Sequence, residues 1–276
     1  TPVVPLVTIM DTGSDLIWTQ WKPCTYCFEQ ATPVFNPKLS FSFLDVTCFS
    51  KLCKALRNSR CGNGCCEYLN VYGDGLSSQG FLSRETLTFE EQVSVPRIGF
   101  GCGVNNQVIG MNNVVGIVGL GRGTLSLVSQ LGSRKFSYCF TSIGDNKSSS
   151  LLFGSLADLN ASNGAVKSTP LIRNPILPSF YYLSLESITV GQTLLPIPKS
   201  LFQIGSNGGG GLMIDSETTV TSLQEDAFNM LKQAFMAQTK LQVSYSYTVE
   251  FDLCFDLPSN NVRKLSSPDW FFISRD

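Results

Sequence analysis

One short pattern occurs twice in this chain, and it constrains the fold more than anything else in the sequence. The first copy reads Ile9-Met10-Asp11-Thr12-Gly13-Ser14, and the second reads Met213-Ile214-Asp215-Ser216-Glu217-Thr218. Each carries an apolar strand into an aspartate, with hydroxyl residues one and three places further on. Two copies about 200 residues apart imply two related units, each presenting a carboxylate from a strand end. Two carboxylates brought together by such loops cannot both ionise easily. They share a proton, so one can act as base while the other donates.

Composition narrows the chemistry to the same groups. The 276 residues contain no histidine. That excludes a Ser-His-Asp triad, a Cys-His pair and histidine-ligated metal sites, and leaves proton transfer mainly to carboxylates. Twenty basic residues against twenty-one acidic ones give a net charge of −1, without the basic excess of a nucleic-acid binder. With 43% hydrophobic and 15% charged residues, the chain can bury a large core.

Seven of the ten cysteines lie between Cys24 and Cys66: Cys24, Cys27, Cys48, Cys53, Cys61, Cys65 and Cys66. Zinc would want a second Cys-x-x-Cys or a histidine. A disulfide-stapled insertion in a secreted protein fits better. Asn146 and Asn160 each open an Asn-x-Ser sequon, in keeping with that compartment. No run approaches the roughly 20 apolar residues needed to span a bilayer.

Most of the chain reads as short strands separated by Gly- and Ser-rich turns, so the fold class is mainly β. Strands are expected over Val3–Met10, Phe81–Phe89 and Phe180–Val190, and a glycine loop over Gly205–Gly211. One clear helix is expected over 224–238. Ser222 and Glu225 would form its capping box, and Ala227, Phe228, Leu231, Ala234 and Phe235 its apolar face. A shorter helix is expected over 125–131. The glycines of 119–123 lack the Gly-Lys-Ser/Thr ending of a phosphate loop.

The motifs MDTGSDLIWTQ (10–20), YGDG (72–75), FGCG (100–103), GIVGLGRGTLSLVSQL (116–131), KFSYC (135–139) and FDLCF (251–255) together make the chain resemble the pepsin-like aspartic proteases of the plant nepenthesin type. Their dyad is the standard example of two carboxylates sharing a proton. The resemblance implies two β-rich lobes with a central cleft, here 1–140 with the cysteine-rich insertion and 141–276. It also implies acid endopeptidase activity with no cofactor and no metal, a protein or peptide substrate in the cleft, a monomer, and a secreted or vacuolar location. Asp11 and Asp215 match the catalytic aspartates, with Thr12, Gly13, Ser14, Ser216 and Thr218 supporting them. Tyr72 and Gly73 match the flap, a hairpin that closes over substrate. Trp18 matches the tryptophan behind that tyrosine, and Ile117-Val118-Gly119 the apolar-apolar-glycine element beside the first aspartate loop.

Glu217 stands where the family has glycine and Trp21 where it usually has cysteine. Only residues 216–276 follow Asp215, with no glycine after Gly211, so the second lobe is expected to be incomplete. An ionised Glu217 would add a third negative charge beside the dyad. These departures lead to an expectation of weak proteolysis, and to an alternative reading as a non-catalytic, protein-binding or glycanase-inhibitor-like relative. A two-carboxylate glycosidase fits less well, because the two Asp loops are matched and alternating βα units are lacking.

Overall fold

The computed structural model describes residues 3–89, 93–107, 113–141, 145–159, 166–218, 220–244, 251–256 and 270–274. The chain forms two compact units. The first runs to Val166 and also takes in Leu177–Tyr181 and Ile214–Glu217, so both aspartates of the repeat belong to it. Asn146 is exposed, whereas Asn160 lies outside the described residues.

Eight strands make the sheet of the first unit: β1 (Ile9–Asp11), β2 (Trp18–Gln20), β3 (Leu44–Asp45), β4 (Ser59–Gly62), β5 (Cys65–Val71), β6 (Ser77–Thr88), β7 (Ser94–Gln107) and β8 (Gly116–Gly119). Their order is β1-β8-β2-β7-β6-β5-β4, with β3 on β6. Side chains alternate across this sheet. Leu16 and Trp18 join Tyr68, Leu82 and Ile117 in one buried cluster, while Ile17 joins Ile98, Phe100, Cys102 and Leu120 in another. Trp21 sits among aromatics, its ring 5.8 Å from Phe43 and 6.0 Å from Phe81.

The expected strand over Val3–Met10 is shorter than its apolar run. Only Ile9–Asp11 pairs, in parallel with Ile117–Gly119. Pro5 has no N–H to give a ladder, and upstream of the strand Val7 accepts one backbone bond, from Val115 at 2.7 Å.

Six of the seven clustered cysteines pair as Cys24–Cys27, Cys48–Cys61 and Cys53–Cys66, and Cys65 joins no disulfide. They staple the segment from the first aspartate loop to strand β5, including helix α1 (Lys51–Ala55). Helix α2 (Leu127–Gln130) starts at Ser126, whose hydroxyl accepts the Ser129 N–H at 3.2 Å. Two short strands, β9 (Phe136–Ser137) and β10 (Leu152–Phe153), pair beside it in sequence.

Farther along lie β11 (Tyr181–Leu183), β12 (Leu185–Val190), β13 (Thr193–Leu194), β14 (Leu212–Ile214), helix α3 (Glu225–Gln238), β15 (Val243–Ser244), β16 (Cys254–Phe255) and β17 (Trp270–Ser274). In the second unit β12 pairs with β13 and β17. A register shift after Leu185 turns Leu185, Ile188 and Val190 to one face, where they pack with Ile197, Phe202 and Ala227.

Helix α3 corrects two expectations. Its cap is Gln224, whose side-chain oxygen accepts the N–H groups of Asp226 (2.8 Å) and Ala227 (3.2 Å), so Ser222 lies too far upstream to cap it. The buried stripe is Ala227, Met230, Leu231, Ala234 and Phe235. Phe228 is one residue, about 100°, off that stripe. Among the described residues, no helix is long and apolar enough to cross a membrane.

Candidate functional site

Strand β1 delivers Asp11, and parallel pairing with β8 fixes it. Asp11 stands in register with Gly119, and its carbonyl accepts the Leu120 N–H at 2.7 Å. Strand β14 delivers Asp215 directly after Ile214. The two loops then lock to one another through reciprocal bonds. The Thr12 N–H donates to Ser216 Oγ at 3.1 Å, and the Ser216 N–H donates to Thr12 Oγ1 at 2.8 Å. Ser216 Oγ also donates to the Met10 carbonyl at 2.8 Å. Small hydroxyl residues at these two positions make this possible, because each offers a donor and an acceptor on a one-carbon stem.

The carboxylates are served by matching donors. Asp11 accepts the Gly13 N–H at 2.7 Å and the Ser14 hydroxyl. Asp215 accepts the Thr12 hydroxyl and the Glu217 N–H, each at 3.2 Å. Thus the N–H of Glu217 takes the place at Asp215 that the N–H of Gly13 takes at Asp11. Carboxylate oxygens of Asp11, Asp215 and Glu217 all lie within 4.8 Å of one another. Asp11 is buried, and burial raises its pKa; the Ser14 and Gly13 bonds pull it down, and the charges of Asp215 and Asp15 push it up again.

Among the described residues these three are also the only group of three or more acidic or sulfur-bearing side chains close enough to share an ion. A set of carboxylates alone, without histidine or cysteine, suits hard ions such as magnesium, calcium or manganese rather than zinc or copper. Carboxylates this close compete first for protons.

Glu217 changes the expectation drawn from its charge. Burial, then the charges of Asp11, Asp215 and Asp74, push its pKa up to about 7. In acid the Glu217 carboxyl is neutral, so the third negative charge arises only toward neutral pH. Because the folded chain holds this proton more tightly than the unfolded chain, the Glu217 contribution to stability is fully present below its usual 4.5 and is lost as the pH rises through about 7.

The hairpin of β5 and β6 turns at 72–76. There Tyr72 N–H donates to the Leu76 carbonyl at 2.8 Å, and the Asp74 carboxylate accepts the Leu76 N–H at 3.0 Å. Gly75 takes a positive φ of 87°, and Gly73 faces open space. Trp18 Nε1 donates to the Tyr72 hydroxyl at 2.7 Å. Burial raises the Tyr72 pKa, with the nearby Asp11 charge adding to it, so this hydroxyl stays protonated and able to donate. Thr218 is exposed and grouped with the second unit.

Sequence reading passed over three neighbours of this site. Asp15 accepts the Gly123 N–H at 2.8 Å and the Ser179 hydroxyl at 2.6 Å, pinning the turn after β8. Its place in D-T-G-S-D was the available signal. Asp74 at the hairpin tip acts on Glu217, and Tyr138 lies close enough to Asp215 for that charge to help raise its pKa, after burial. Nothing local in the sequence announces either proximity, since both arise from long-range pairing.

With this geometry, the chain belongs to the pepsin-like aspartic protease family. The family model described as xylanase inhibitor N-terminal matches residues 1–155, and its C-terminal companion matches residues 180–269. Among its relatives, aspartic proteinase nepenthesin-1 of Nepenthes gracilis is 50% identical over 261 residues, covering 94% of this chain and 59% of that protein. Nepenthesin-2 of the same plant is 47% identical over 260 residues, again covering 94% and 59%. The chain therefore spans under two thirds of these relatives. Among solved structures it is similar to edgp (TM-score 0.68, 20% identity, 98% of this chain and 73% of that one). It is also similar to conglutin gamma, a basic 7S globulin from lupine seeds (TM-score 0.68, 22% identity, 97% and 71%). These likenesses show the pepsin-like fold. Three disulfides and the nepenthesin relationship point to the secretory pathway.

Proposed function

We propose that the protein is an aspartic-type endopeptidase that hydrolyses peptide bonds in acid, with Asp11 and Asp215 as its catalytic pair. The observation that carries this reading is the reciprocal Thr12–Ser216 lock between two loops whose carboxylate oxygens lie within 4.8 Å of each other, a span that one water can bridge. In the reaction, the ionised carboxylate takes a proton from water as the water oxygen attacks the peptide carbon. The protonated partner gives its proton to the carbonyl oxygen. The carboxyl that took the proton from water then gives it to the amide nitrogen, while the other carboxylate takes a proton back from a hydroxyl of the intermediate; the C–N bond breaks, releasing an amine and a carboxylic acid. Tyr72, buttressed by Trp18, orients the substrate from the hairpin. The substrate is a protein or peptide, the acting form a monomer, and the location extracellular or vacuolar.

A second reading, a protein-binding relative without catalysis, draws on Glu217 and on family models described as xylanase inhibitor. Calorimetric titration of the full chain with a statine-containing peptide in acid separates the two. The statine hydroxyl sits on a tetrahedral carbon and mimics the hydrated intermediate formed when water adds to the peptide carbonyl, so binding should weaken by at least about tenfold in Asp11→Asn and in Asp215→Asn. Absence of binding by the parent, or binding by both variants as tight as the parent's, overturns the proposal in favour of the second reading.

A further inference from the structure

Glu217 occupies a position that the pseudo-symmetry of the two loops reserves for a residue without a side chain. At its counterpart, an added Cβ on Gly13 would lie 2.6 Å from Asp215 Oδ2 and 2.9 Å from Asp215 Cγ. On the Asp215 side a whole carboxyethyl arm is present, and one of its oxygens lies within 4.8 Å of an oxygen of each of the other two carboxylates. Asp11 accepts from Gly13 and Ser14, and Asp215 accepts from Thr12 and Glu217. The Glu217 carboxyl has no hydrogen-bond or ion-pair partner among the described residues.

The groups that face it are of one sign. Asp11 comes from β1, Asp215 from the loop after β14, and Asp74 from the hairpin tip. Behind them, Asp15 acts on Asp11, while the charge of Asp11 acts on Tyr72 and that of Asp215 on Tyr138. The ion pairs among the described residues, Lys135–Asp158 and Lys199–Glu186, involve none of these groups. Three carboxyls at this separation repel one another as they ionise, so the trio holds its protons more tightly than a simple pair at the same pH.

We propose that Glu217 is a positioning residue for protons: it forms an acid trio with Asp11 and Asp215 and sets the upper pH limit of the site. This rests on the endopeptidase reading of that pair. A working dyad needs one shared proton. When Glu217 ionises, its charge opposes loss of that last proton, because the product would be three negative charges within 4.8 Å. The coupling is mutual: after burial, the charges of Asp11 and Asp215 help raise the Glu217 pKa, and a charge on Glu217 acts back on the pair in the same sense. Glu217 therefore costs little in acid and extends the range over which the dyad stays singly protonated.

Affinity for the statine-containing peptide, measured across the acid-to-neutral range in the full-length chain and in Glu217→Gln and Glu217→Asp, tests this. The amide variant should lose binding about one pH unit lower than the parent, a roughly tenfold difference in affinity above its midpoint. The aspartate variant should keep most of the extended range. Identical upper limits in parent and Glu217→Gln overturn the inference while leaving the endopeptidase reading intact. If the parent binds no statine peptide at any pH, that reading fails by itself. Carbon-13 carboxyl titration by NMR then still decides the trio. A coupled titration near neutrality that disappears in Glu217→Gln supports it. A Glu217 that titrates as an ordinary carboxyl, without effect on its neighbours, refutes it.

Discussion

Replacing Gly119 with alanine should destabilise the first unit by about 4 kcal/mol or more, at the far end of what single substitutions do. Gly119 pairs with Asp11, and the loop carrying Asp15 crosses directly over it. An added Cβ would sit 2.5 Å from the Asp15 carbonyl oxygen and 2.8 Å from its Cα. Both atoms are backbone, so no rotamer change relieves the overlap, and the strand itself must shift. Asp15 is held on its other side by Gly123 and Ser179, which leaves the loop no easy retreat. Melting followed by circular dichroism should drop by roughly 10 °C. An unchanged midpoint would mean that β1 and β8 are not in this register.

Gly13→Ala should act on function rather than on stability. Its Cβ would meet the Asp215 carboxylate and come within 3.1 Å of Asp11 Oδ1. Here the obstacle is a side chain, so the fold survives while the Asp215 carboxylate moves aside. The reciprocal Thr12 and Ser216 bonds hold both backbones in place, and the whole displacement falls on the carboxylates. Misplacement by about 1 Å lowers the rate by roughly a hundredfold. Peptide hydrolysis at a fixed acid pH, compared with the melting midpoint of the same sample, reads both effects. Equal hydrolysis by parent and variant would separate position 13 from the reacting groups.

Much of this arrangement was legible because its signals are local. Met10-Asp11-Thr12 and Ile214-Asp215-Ser216 each show a strand end, an acid and a hydroxyl in a row. The density of cysteines from Cys24 to Cys66 likewise announces a stapled insertion. Which cysteine meets which was not legible: Cys61 and Cys66 are partners across the β4–β5 hairpin, yet each bonds a sulfur from the segment before it. Apolar periodicity over-extended the first strand, because Val3 and Leu6 look like strand residues but lie exposed beside Pro5. At helix α3 the pattern located the helix but not its cap, since glutamine is an uncommon N-cap and a Ser-x-x-Glu pair upstream looked better. Glu217 was visible as a departure from the family motif. Its protonation was not, because that depends on Asp74, brought in by the hairpin, and on burial.

The central claim is that Asp11 and Asp215 together cleave peptide bonds in acid. Hydrolysis of denatured globin by the purified chain, with Asp11→Asn alongside, tests it most directly. The account predicts detectable cleavage that is stronger at about pH 3.5 than near pH 7 and is abolished by the substitution. Cleavage that persists in Asp11→Asn, or no cleavage by the parent at any pH, would contradict it.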